Sequence, residues 1–294
     1  MKLKFILFLL SINYLSSQTI TPFASYDFKN DLIYQSILSK MKNDEIDLEG
    51  YRYLSNLANE RKDYKSAIEF LENRLNLGDQ TFEVHYKIAG SSGILAKQEN
   101  SISAIKHINK AIVHFKKALL LNENHIPSLV GLTKLYAQLP IFLGGSLDKS
   151  KLYANKIIKY DLIEGNLMNG FIDEINKKKD SAKIKYFKAF EFFNRKYNCN
   201  DLIINEKYFR KNILYELAEV SIRFDIFNET SICFLEKFIK ESEENIIPKE
   251  WVYFRLSELY FKSKNNLKAK FYLNQALILN PNFEEAESLL KMIL

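Results

Sequence analysis

Residues 251–281 read WVYFRLSELYFKSKNNLKAKFYLNQALILNP, and two helical patterns stand back to back in them. Tyr253, Leu256, Ser257 and Tyr260 recur three or four residues apart, which places them on one helix face. Ala269, Leu273 and Ala276 do the same for a second helix, and Lys264, Asn265 and Asn266 form a polar turn between the two. Pro281 stops the second helix, because proline cannot continue it and biases Asn280 away from helical geometry. The small residues Ser257, Ala269 and Ala276 let the two helices approach closely, and the large ones fill the grooves between them.

These eight positions, Tyr253, Leu256, Ser257, Tyr260, Ala269, Leu273, Ala276 and Pro281, resemble the signature of the tetratricopeptide repeat, a unit of about 34 residues built as helix-turn-helix. Ser257 stands for the usual glycine and Tyr253 for the usual tryptophan. The resemblance implies a right-handed, all-α solenoid of antiparallel helix pairs that binds other proteins. It names no partner.

Working back along the chain, the pattern recurs with variations. Residues 1–18 read as a secretory signal peptide: Lys2 and Lys4 precede an apolar run from Phe5 to Leu15, and Ser16 and Ser17 stand near the cut. The run is shorter than the roughly 20 residues of a membrane span, and no cysteine follows it to take a lipid. Residues 19–47 form a linker and a lone helix with its stripe at Leu32, Ile33, Ile37, Leu38 and Met41. The solenoid occupies residues 48–281 as about six hairpins, and residues 282–294 form an amphipathic capping helix.

In the first repeat, Tyr51, Leu54, Ser55 and Ala58 make one helix face, and Ala67 and Leu71 make the other. Arg74 replaces the small residue of the pattern, so the packing there is either looser or Arg74 leans outward on its stem. In the second repeat the interval from Gly90 to Ala111 is nine residues longer than that from Ser257 to Ala269, which lengthens both helices of the hairpin. The third repeat holds Leu129, Leu132, Thr133 and Tyr136, then Leu139-Pro140-Ile141-Phe142-Leu143-Gly144-Gly145-Ser146 in place of a short turn. This insertion is similar to one in a subset of exported bacterial tetratricopeptide proteins that includes companions of substrate-binding transporters. Its apolar residues are expected to fold back on the hairpin rather than project. Gly170, Ala182, Tyr186 and Ala189 carry the fourth repeat, with a tight junction at Ile163, Glu164 and Gly165. The fifth pair, Glu206 to Phe224 and Asn228 to Lys240, is degenerate.

Few features point to chemistry. The net charge is +6, or +4 without residues 1–18, and it is dispersed, which argues against nucleic acid. His107 and His114 share a helix face seven residues apart, a spacing that does not suit helical metal ligands, so both read as solvated and no metal is expected. No cofactor motif and no catalytic motif is found, and the chain reads as non-enzymatic. Gly144 and Gly145 lack the phosphate-loop pattern. Cys199 and Cys233 either bond, as export would allow, or Cys233 is a small core residue.

In the tetratricopeptide family, exposed positions of each first helix line a concave groove. Carried onto this sequence they fall on Arg52, Asn56, Asn59 and Glu60, on Val130, Lys134 and Gln138, on Leu167, Phe171 and Glu174, and on Trp251, Phe254, Glu258, Phe261 and Lys262. The partner-binding surface is thus expected at Arg52, Asn56, Lys134, Phe171, Trp251, Phe254, Glu258, Phe261 and Lys262, polar early in the chain and aromatic late. The reading is an exported scaffold, periplasmic or secreted, for a protein or peptide. The alternative is a small-ligand carrier or transporter accessory with an apolar cavity.

Overall fold

The computed structural model describes residues 32–41, 46–99, 101–197, 199, 212–241 and 247–293, and these contain helices and turns with no strand. The signal peptide, the start of the lone helix and the start of the fifth pair lie outside the described residues. The chain divides into two compact units, Met1–Tyr160 and Asp161–Leu294.

In the first unit α1 (Leu32–Met41) is followed by three hairpins: α2 (Leu48–Glu60) with α3 (Tyr64–Asn76), α4 (Phe82–Gln98) with α5 (Ser101–Leu121), and α6 (Ile126–Gln138) with α7 (Leu147–Ile158). Each helix packs on its hairpin partner, and α3 on α4 and α5 on α6 join one hairpin to the next. The elongated second hairpin expected from the spacing is present, with α4 of 17 residues and α5 of 21. Of the stripe expected on α1, Ile37 is buried but Leu32 is exposed.

The second unit holds α8 (Leu162–Ile175) with α9 (Lys179–Lys196), α10 (Ile213–Phe224) with α11 (Asn228–Glu241), α12 (Lys249–Lys262) with α13 (Asn266–Leu279), and α14 (Glu284–Ile293). Ile163, Glu164 and Gly165 lie inside the first turn of α8, not at a junction. Asp161 caps that helix, accepting from the backbone N–H groups of Ile163 and Glu164 at 2.8 and 3.0 Å.

The repeat is visible in the backbone. Lys62, Lys177 and Lys264 occupy the same position of their hairpins, and all three are left-handed, with φ of 60°, 60° and 59°. Helix starts are fixed by side-chain oxygens: Asp47, Asp63, Ser146 and Asn265 each accept a backbone N–H three residues on. Gly170 shows why a hairpin needs a small residue at this point. A Cβ there would stand 2.6 Å from the ring of Tyr186, which crosses it from α9.

The insertion between α6 and α7 is a 3-10 turn, Ile141–Leu143, held by the Pro140 carbonyl, which accepts from Leu143 and Gly145 at 2.9 and 3.0 Å. Gly144 sits at φ 91°, and a Cβ on Gly145 would overlap the Leu139 carbonyl. The expected fold-back does not occur, because this backbone bonding turns the tip outward. Ile141 is 88% and Phe142 74% exposed.

Candidate functional site

The first-helix face of the first unit is a polar ladder. Arg52 Nη1 donates to Glu49 Oε1 at 2.6 Å, within α2. Lys87 Nζ on α4 donates to Asn56 Oδ1 at 2.8 Å, and Ser91 Oγ donates to Asn59 Oδ1 at 3.0 Å. Two rungs therefore stitch α2 to α4. Burial lowers the pKa of Lys87, the charge of Arg74 adds to this, and Glu60 and Glu83 oppose it. Lys87 and Ser91 were not among the expected residues. The signal was available, since both keep the spacing of Arg52 and Asn56 from their own repeat start. On α6, Lys134 is half-buried and Val130 is buried.

Beneath this face lies a pair that the sequence pattern did not reveal. Arg74 neither loosens the packing nor leans outward. It is buried, and its Nε and Nη2 donate to Asp79 Oδ2 at 3.2 and 2.8 Å while Nη1 donates to Ser55 Oγ at 3.2 Å. Burial alone would raise the pKa of Asp79. The hydrogen bonds from Arg74 and Thr81, with the charges of Arg74 and Arg52, hold it below the usual carboxylate range.

The histidines also differ from expectation. His114 is buried, and its partner is His85 rather than His107, with the two Nδ1 atoms 3.0 Å apart. One ring donates and the other accepts, so this contact needs the accepting ring neutral and is lost when both rings are protonated. His107 Nε2 instead stands 3.2 Å from Glu99. Burial lowers both members of the pair. For His114 the proximity of His85 and Lys117 adds to it and takes the pKa to about 4, with Lys110 in the same sense and Glu72 opposed. A histidine depressed when folded binds its proton first in the unfolded chain. Stability is therefore full above pH 6.5 and is lost as pH falls from there towards 4. A loss of about 1–2 kcal/mol is expected, after discounting for screening by water. Urea unfolding at pH 7.5 and pH 4.5 checks it, and His114→Phe should flatten the dependence.

In the second unit the first helices carry an alternating ladder of charge. Arg223 of α10 donates from Nε and Nη2 to the two carboxylate oxygens of Glu174 on α8, at 2.9 and 3.2 Å. Arg255 of α12 donates from Nη2 to Glu219 of α10 at 3.0 Å and from Nη1 to Glu258 at 2.6 Å. Glu219 and Arg223 are one turn apart on α10, so one face runs Glu174, Arg223, Glu219, Arg255, Glu258 across three helices. Burial raises the pKa of Glu219, and Arg255 and Arg223 pull it back in part. Burial opposes the charge of Arg255, but Tyr215, Glu258 and Glu219 outweigh it and keep the guanidinium protonated. Lys262 Nζ reaches Asp225 at 3.7 Å, and Phe171 and Phe261 are half-buried at the edges.

The aromatic strip expected at Trp251 and Phe254 is not a surface. Both are buried, because Phe283, just before α14, covers them with ring centroids 4.5 and 5.1 Å away. The Arg255 guanidinium stands 5.6 and 5.5 Å from the same two ring centroids. Leu167 is likewise buried. The structure thus leaves Arg52, Asn56, Lys134, Phe171, Glu258, Phe261 and Lys262 at least partly accessible and withdraws Trp251 and Phe254.

Cys199 and Cys233 are joined as a disulfide, with Cα atoms 6.2 Å apart. Among the described residues no three His, Cys, Asp or Glu side chains gather as metal ligands would, and no helix is long and apolar enough to cross a membrane.

Comparison with curated proteins gives no match. The sequence pattern of the tetratricopeptide repeat family matches residues 252–283. Among solved structures, the fold is similar to a tetratricopeptide repeat protein from Parabacteroides merdae, at 16% identity over 90% of this chain and 93% of that one, with a TM-score of 0.52. It is also similar to a chain of the APC/C hetero-tetramer Cut9-Hcn1, at 16% identity and a TM-score of 0.54 over 91% of this chain and 46% of that one. The repeat at residues 252–283, the hairpins packed in series and the two structural likenesses agree: this chain carries a tetratricopeptide repeat and has the fold of tetratricopeptide-repeat proteins.

Proposed function

We propose that the chain is an exported, non-enzymatic scaffold that binds an extended protein segment on the first-helix faces of its repeats. The observation that carries this is the ladder Glu174, Arg223, Glu219, Arg255 and Glu258, which bonds three successive first helices into one polar face. Such a face is pre-organised. Its donors and acceptors are fixed before a partner arrives, which lowers the entropy lost on binding. Phe171, Phe261 and Lys262 at its margins supply apolar and basic contacts to an incoming chain. The Lys2- and Lys4-led apolar run supports export, and the disulfide between Cys199 and Cys233 suits an oxidising compartment. No observation favours the small-ligand carrier.

The test is selection from a library of random peptides on the immobilised chain. Enriched peptides are expected to lose at least about tenfold in affinity on Phe261→Ala/Lys262→Glu, corresponding to about 1.4 kcal/mol. Circular dichroism controls for folding. No enrichment over background overturns the reading. So does full retention of affinity both on that variant and on Arg52→Glu/Lys87→Glu in the first unit.

A further inference from the structure

The helix α13 is apolar on two opposite faces. Ala269, Leu273 and Ala276 form the face buried against α12 and α14. Leu267, Phe271 and Ile278, spaced four and seven residues apart, form a stripe on the other side of the helix, 86%, 56% and 70% exposed. Leu279 beside them is also exposed. Asn274 interrupts the stripe and Lys268, Lys270 and Gln275 flank it, yet three large exposed apolar side chains aligned along three turns are more than scattered surface apolarity.

The charge around the stripe says what covers it. Its N-terminal end is basic, with Lys264 in the preceding turn and Lys270 in the second turn, both exposed. Beyond its C-terminal end the first turn of α14 is acidic, with Glu284, Glu285 and Glu287, of which Glu284 and Glu287 are exposed. A surface with an apolar centre, a basic end and an acidic end is complementary to itself when turned end for end. That operation is a two-fold axis, which makes the same patch serve both copies. It also sets the helices antiparallel, with each helix N-terminus near the other's C-terminus.

We propose that a second copy of this chain docks on α13, the two helices crossing antiparallel through Leu267, Phe271 and Ile278 with the lysine end of each copy against the glutamate end of the other. This contact is separate from the first-helix faces and does not depend on the scaffold reading. Specific interfaces start at on the order of 1,000 Å² in total, the scale of two such stripes with their charged ends.

Sedimentation equilibrium of the full chain from about 1 to 300 μM tests it. The expected result is a monomer–dimer equilibrium that Phe271→Glu/Ile278→Lys weakens more than tenfold. Both positions are exposed, so the variant retains its fold, which circular dichroism verifies. Charge reversal tests whether the charged ends pair across the contact. Lys264→Glu/Lys270→Glu and Glu284→Lys/Glu287→Lys should each dimerise poorly alone, and an equimolar mixture of the two should restore the dimer. A monomer throughout the range overturns the proposal, as does a dimer indifferent to the Phe271→Glu/Ile278→Lys change. A mixture that associates no better than its components overturns the antiparallel arrangement on which the choice of a second copy rests.

Discussion

Replacing Arg74 with alanine is expected to destabilise the first unit by about 3–5 kcal/mol, the range for removing one partner of a buried ion pair. The size comes from what is left behind. Asp79 is 3% exposed at its side chain, and without Arg74 its nearest cation is Arg52 at 3.7 Å. A carboxylate so buried must either stay charged without its main partner or take up a proton, and both are costly. Ser55 Oγ also loses the guanidinium N–H that it accepts. Urea unfolding followed by circular dichroism reads the loss. The double variant Arg74→Ala/Asp79→Ala should recover at least about 1 kcal/mol, because it removes the stranded charge along with its partner. A loss for Arg74→Ala below about 1 kcal/mol would show that water reaches the pair and screens it.

Replacing Phe283 with alanine is expected to cost about 3–5 kcal/mol in the second unit, as for other buried phenylalanines. Phe283 is the lid on Trp251 and Phe254, and all three rings are buried together. Its loss removes ring–ring contacts and opens a cavity beside the single tryptophan of the chain. Trp251 then reports directly: its emission should move to longer wavelength as water enters. Phe261→Ala, at a half-buried ring on the same helix, should leave the emission in place and cost less. An unshifted spectrum in a fully stable Phe283→Ala variant would mean that Phe283 does not seal these rings.

These two expectations also mark how far the sequence could be read. The alternation of small and large residues at Ser257, Tyr260, Ala269 and Leu273 determines a hairpin, because helix periodicity is local and close packing needs small residues at fixed offsets. The same rule located α2 with α3, α6 with α7 and α8 with α9, and the length of the Gly90–Ala111 interval gave the long second hairpin. The degenerate fifth pair, Glu206 to Phe224 and Asn228 to Lys240, corresponds to α10 and α11, although its start lies outside the described residues.

The site was legible in part. The first-helix positions Arg52, Asn56 and Glu258 follow from repeat register alone, and the structure places them on polar ladders. Register cannot say which neighbour crosses to meet them. The Lys87–Asn56 rung joins residues 31 apart, Arg223–Glu174 joins residues 49 apart, and Arg255–Glu219 joins residues 36 apart. Each depends on the distance between two first helices, which the large side chains packed beneath them set.

What the sequence by itself determined is the all-α hairpin architecture and its repeat register, which arise from contacts between residues close in the chain. Tertiary structure alone decided which repeat positions are open. Trp251 and Phe254 carry a groove register but are covered by Phe283, and Ile141 and Phe142 carry a core-like composition but are turned outward by the Pro140 carbonyl. His114 reads as solvated but is buried against His85, and Arg74 reads as a misfit but closes an ion pair with Asp79. The physical reason is common to all four. Burial belongs to the pair of surfaces that meet, and a periodic pattern describes only one of them.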